Sequence, residues 1–106
     1  MDTYVILSKL SPDAFRDPQD LPALADEVKQ RIKEDCPDVV WKDSYALMGR
    51  FDVVDLIEAP SRDDAEHAAM IIRAYGHATT ETMSATPWKQ FIGTLKSQRQ
   101  TASARR

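Results

Sequence analysis

Val39-Val40-Trp41-Lys42-Asp43-Ser44-Tyr45-Ala46-Leu47-Met48, then Gly49-Arg50, then Phe51-Asp52-Val53-Val54-Asp55-Leu56-Ile57-Glu58-Ala59, is the stretch from which the rest of the chain can be read. Two β-rich runs flank a two-residue break with glycine first. That composition suits a hairpin with a type II′ turn, whose first central residue needs positive φ. A turn at Gly49-Arg50 predicts that Met48 pairs with Phe51, Leu47 with Asp52, Tyr45 with Val54, Asp43 with Leu56 and Trp41 with Glu58. Cross-strand partners share a face. One face would then carry Trp41, Asp43, Tyr45, Leu47, Asp52, Val54, Leu56 and Glu58. The other would carry Val40, Lys42, Ser44, Ala46, Met48, Phe51, Val53, Asp55, Ile57 and Ala59. A bulge would exchange part of this assignment.

Working outward, Tyr4-Val5-Ile6-Leu7, closed by Ser11-Pro12, predicts a first strand over about residues 3–9. After a loop with prolines at 12, 18 and 22, apolar residues recur at Leu21, Leu24, Ala25, Val28 and Ile32, one stripe of a helix. Cys36-Pro37 ends it, since proline turns its predecessor away from helical geometry. Beyond the hairpin, Ser61 with Asp64 reads as an N-cap and acidic first turn. Ala65, Ala68, Ala69 and Ile72 form a stripe small enough to lie close on a sheet, and Gly76 suits the C-terminal cap. Thr79–Ala85 predicts a fourth strand. Thr86-Pro87 opens a short helix anchored by Trp88, Phe91, Ile92 and Leu95, and residues 98–106 read as a flexible basic tail.

The order is β-α-β-β-α-β with a C-terminal helix: an α+β, ferredoxin-like pattern with both helices on one sheet face. Residues 1–97 form one domain by this reading, and the length of 106 residues leaves no second core. The face carrying the large aromatics and carboxylates is assigned to the open side. Its apolar area would be a liability unless covered, and pairing with a second copy by two-fold symmetry is the simplest cover.

The segment Gly49–Pro60 resembles the GYD-domain family through its Gly-x-Tyr-Asp signature and the following Glu-Ala-Pro. Thr80-Glu81-Thr82 with Ala85, Tyr45 and Gly76 fit as well, and the resemblance covers roughly residues 3–88. Phe51 stands where the family has tyrosine, and Asp55 where a small apolar residue is expected. The resemblance implies a dimeric α+β barrel. Folds of that type host cofactor-independent monooxygenases, small-molecule sensors and haem-related enzymes, so the fold alone transfers no activity.

The candidate ligand-binding residues are Trp41, Tyr45, Arg50, Asp52, Glu58 and Glu81. Trp41 and Tyr45 could stack on a flat ligand or simply pack. Asp52 could act as a carboxylate or satisfy backbone amides beside the turn. A half-buried Glu58 or Glu81 could serve as a base, or could pair with Arg50, Arg62 or Lys42. The first strand would lie between them, so they should not touch. No catalytic residue is assigned. His67 and His77 lack metal-ligand spacing, Cys36 is the only cysteine, and the three glycines make no phosphate loop, so no metal or cofactor is expected.

Charge is uneven. Residues 1–88 hold nine basic and seventeen acidic side chains, net −8, whereas residues 89–106 are net +5. An acidic body argues against nucleic acid as a partner. No apolar run approaches a membrane span, no leader pattern is present, and a lone cysteine fits a reducing cytoplasm. The leading expectation is a homodimer that binds a small molecule in a pocket at the sheet. The alternatives are a cofactor-independent oxygenase or isomerase using a strand carboxylate, and an interaction module without catalysis.

Overall fold

The computed structural model describes residues 1–104, with residues 100–104 described only as helical backbone. Strands β1 (Asp2–Leu10), β2 (Val40–Ala46), β3 (Val53–Ala59) and β4 (Ala78–Ala85) form one sheet in the order β2-β3-β1-β4, antiparallel throughout. Helices α1 (Leu21–Asp35) and α2 (Arg62–Tyr75) make the two crossovers, and α3 (Trp88–Ala104) follows β4. The α+β, ferredoxin-like expectation holds.

Alternation explains the core. On β1, Tyr4, Ile6 and Ser8 are buried while Val5 and Leu7 are half-buried. On β3, Asp55, Ile57 and Ala59 are buried. These residues point toward the helices, where they meet Ala65, Ala68, Ala69, Ile71 and Ile72 of α2. The alanines let α2 lie close on β3 and β4. Ser61 caps α2 by accepting from the Asp64 N–H at 3.3 Å. α1 packs mainly against α2, and Ile32 is its only fully buried member. Leu21, Leu24 and Val28 stay half-buried along a gap.

The hairpin differs from expectation in two ways. Tyr45 pairs with Val54 and Asp43 with Leu56 as read, but a bulge between Trp41 and Asp43 places Trp41 opposite Ile57 and Val40 opposite Glu58. Lys42 is the extra residue. Trp41 thereby moves to the helix-covered face and joins the core margin, and Val40 moves to the open face. The connection is also longer than two residues. Leu47 N–H donates to the Asp52 carbonyl at 2.8 Å, which leaves residues 48–51 as the loop, so Met48 and Phe51 do not pair in the ladder. Gly49 keeps positive φ, at 154°.

Gly76 is the C-cap of α2, as its sequence position suggests. Gly76 has an ordinary right-handed φ of −88°, and the positive φ belongs to His77 at 51°. Glycine is needed at 76 for space: a Cβ there would stand 2.5 Å from the Ile72 carbonyl oxygen and 3.3 Å from Val28 Cγ2. α3 runs to Ala104, beyond the point where a tail was read, and Arg105 and Arg106 lie outside the described residues. Most of its apolar stripe is exposed: Trp88 is 72% exposed, Phe91 and Leu95 are exposed as well, and only Ile92 is half-buried, with the Trp88 and Phe91 rings in tilted contact at 5.9 Å. A radius of gyration of 17.4 Å, against the roughly 13 Å of a compact chain this size, reflects that projecting helix.

Candidate functional site

The six candidate residues fall in three places. Trp41 lies on the helix side. Tyr45, Glu58 and Glu81 lie on the open face, with Glu81 opposite Leu7 and Glu58 opposite Thr3. Arg50 and Asp52 belong to the hairpin connection. Asp52 is structural in its contacts: its Oδ2 accepts from Leu10 N–H at 2.8 Å, and its own N–H donates to the Ser8 carbonyl at 2.8 Å. It ties the loop to the end of β1. The Arg50 guanidinium sits 5.1 Å from the Phe51 ring centroid, a cation–π contact that needs no tyrosine hydroxyl.

Glu58 forms an ion pair with Lys42 at 3.5 Å, the cross-strand residue that the bulge supplies. Glu81 is exposed on β4, two strands away from Glu58. Neither carboxylate is enclosed, and β1 separates them. The arrangement gives no acid–base pair on the open face. That face instead presents Val5, Leu7, Val54, Leu56, Tyr45 and Met83, opposite the side on which α1 and α2 pack.

The buried polar groups lie on the other side, beside a half-open gap. The gap between α1 and the sheet is a cavity of about 250 Å³, walled by Leu21, Leu24, Val28 and Ile32 of α1 and by Ser8, Trp41, Ser44, Val53 and Asp55 of the sheet. Asp26 and Lys29, both exposed, stand at its edge. Trp41 Nε1 donates to Ser44 Oγ at 2.7 Å, and Ser44 Oγ donates to Asp55 Oδ1 at 2.5 Å. Asp55 is 6% exposed. Burial pushes its carboxyl above the ordinary range, and the bonds from Ser44 and Trp41 and the charge of Lys29 pull partly the other way. Ser8 is 2% exposed, and its Oγ has no hydrogen-bond partner.

Ser8, Ser44, Lys29 and Asp55 were absent from the sequence candidates. Asp55 carried a legible signal, since it alternates with Val53 and Ile57 and so had to face the helices. Cys36 is buried, and burial with Asp35 and Asp64 nearby pushes its thiol up, away from nucleophilic use. His67 and His77 are exposed, and no group of three metal-binding side chains occurs among the described residues. No described helix is long and apolar enough to cross a membrane.

An antiparallel sheet in this strand order, with both crossover helices on one face, defines a ferredoxin-like α+β domain. The chain belongs to the GYD domain family, whose model matches residues 4–95. It is 29% identical over 96 residues to a Thermus thermophilus protein named as a glutamine synthetase and cystathionine beta-lyase binding protein, covering 91% of this chain and all of that one. Among solved structures it resembles the leucine response regulatory protein LrpA of Mycobacterium tuberculosis. That match has TM-score 0.57 and 15% identity, and it covers 81% of this chain but 51% of LrpA. A chain described as FFRP matches with TM-score 0.51 and 21% identity, over 81% of this chain and 100% of that one. At these identities the structural likenesses speak for the fold.

Proposed function

We propose that this chain is a cytoplasmic binding protein rather than a catalyst. It pairs with a second copy through the open sheet face and docks onto a partner enzyme through the apolar stripe of α3. The observation that carries this reading is the uncovered apolar surface. Val5, Leu7, Val54, Leu56, Tyr45 and Met83 share the sheet face opposite α1 and α2, while Trp88, Phe91 and Leu95 are exposed on α3. Contiguous exposed apolar area of this kind marks interaction surfaces. The Thermus relative, named for two enzymes it binds, supports the enzyme partner.

The test is to mix the purified chain with the glutamine synthetase and the cystathionine β-lyase of its own source and to measure association by surface plasmon resonance. Saturable binding to either enzyme supports the reading. The doublet Trp88→Ala/Phe91→Ala should weaken it at least ten-fold, because exposed aromatics are the residues that carry interface energy. Binding unaffected by that doublet would remove α3 from the proposal.

A second reading, a small-molecule site at the sheet, is favoured by the cavity beneath α1 and by the buried Asp55 carboxyl group among its lining residues. It differs from the expectation in position: of the six candidates only Trp41 lines this space.

A further inference from the structure

The cavity beneath α1 has two kinds of wall. The α1 side is aliphatic: Leu21, Leu24, Val28 and Ile32. The sheet side is mixed, with Ser8, Ser44 and Asp55 among Leu10, Trp41 and Val53. Its volume of about 250 Å³ equals roughly eight waters at the ~30 Å³ each occupies in the liquid, or one small organic molecule. Ser8 Oγ is buried without a partner, a state that native structures rarely leave in place. Both partners of the Trp41–Ser44–Asp55 chain donate toward Asp55, so the carboxyl is held as an acceptor.

The charges select the ligand. A carboxylate guest would face Asp55 and Asp26 against one cation, Lys29. A neutral alcohol would leave the Asp55 charge answered only by the exposed Lys29 at the cavity edge. An ammonium group answers that need, since it donates to the Asp55 carboxylate directly.

Resting on the small-molecule reading above, we infer that the cavity binds a small primary amine with an apolar body, its ammonium against Asp55 and its chain along Leu21, Leu24 and Val28. The two tryptophans give a direct assay. Trp41 bonds to the polar wall through its indole N–H, and Trp88 stands on α3 away from the cavity. In ¹⁵N-labelled full-length protein, titration with n-hexylammonium should shift the Trp41 indole signal saturably and leave that of Trp88 in place. Hexanoate and 1-hexanol should bind at least ten-fold more weakly. Asp55→Asn should weaken hexylammonium at least ten-fold. Equal shifts at both tryptophans overturn the site. Hexanol or hexanoate binding as tightly as the amine overturns the amine assignment and leaves the cavity as a ligand site. A Trp41 signal unmoved by all three probes overturns both.

Discussion

At the scale of single residues, two buried polar groups define what is unusual here. Ser8 Oγ has lost its water and gained no partner, which costs on the order of 1–3 kcal/mol. Ser8→Ala should therefore stabilise the ligand-free protein by about 1 kcal/mol, read as a rise of several degrees in thermal unfolding. A fall would mean that the hydroxyl has a partner in solution. Asp55 has its carboxyl raised above 3.8 by burial, so in the folded state it holds its proton to higher pH than in the unfolded chain. Its penalty is absent below the unfolded value and grows as pH rises through the folded one. Asp55→Asn should match the parent near pH 3 and be the more stable of the two at neutral pH, as followed by urea unfolding across that range. A difference that stays constant with pH would contradict the raised carboxyl. Asp55 was visible in the sequence as a misfit, a carboxylate in the register of Val53 and Ile57. Ser8 was not, because a serine in a strand looks the same whether or not its hydroxyl is paired.

At the scale of elements, periodicity carried most of the reading. The α1 and α2 stripes, the four strands and the facing of β3 follow from spacing alone. The bulge did not, since nothing in Trp41-Lys42-Asp43 announces an extra residue, and one residue of slip sends Trp41 to the opposite face. That slip also frees Lys42 to reach Glu58. Gly76 is the C-cap of α2 that the sequence suggests, and the structure adds that the position needs clearance. Gly76→Ala should cost about 1–3 kcal/mol despite its permitted backbone angles, because the new methyl meets the Ile72 carbonyl and Val28. Chemical denaturation would measure it, and a loss under 0.5 kcal/mol, the usual range for a neutral surface change, would contradict the contact. α3 shows the limit of stripe reading: Trp88, Phe91 and Leu95 are spaced as a buried face, but spacing does not say whose surface buries them.

At the scale of the whole molecule, the sheet divides the chain into a helix-covered side with a small cavity and an open side with an apolar band. The acidic body and basic C-terminal segment sit on this frame, with Lys89, Lys96 and Arg99 along α3. Two copies meeting face to face would cover Val54 and Leu56 twice over by symmetry. The central claim is that this open face is an interface, and the mass of the particle in solution tests it most directly. Light scattering coupled to size exclusion should give about 24 kDa for the parent, twice the 12.0 kDa of the chain, and the monomer mass for Leu56→Glu, with the variant's circular dichroism unchanged. A parent that runs as a monomer at tens of micromolar, or a Leu56→Glu variant that stays dimeric, would contradict it.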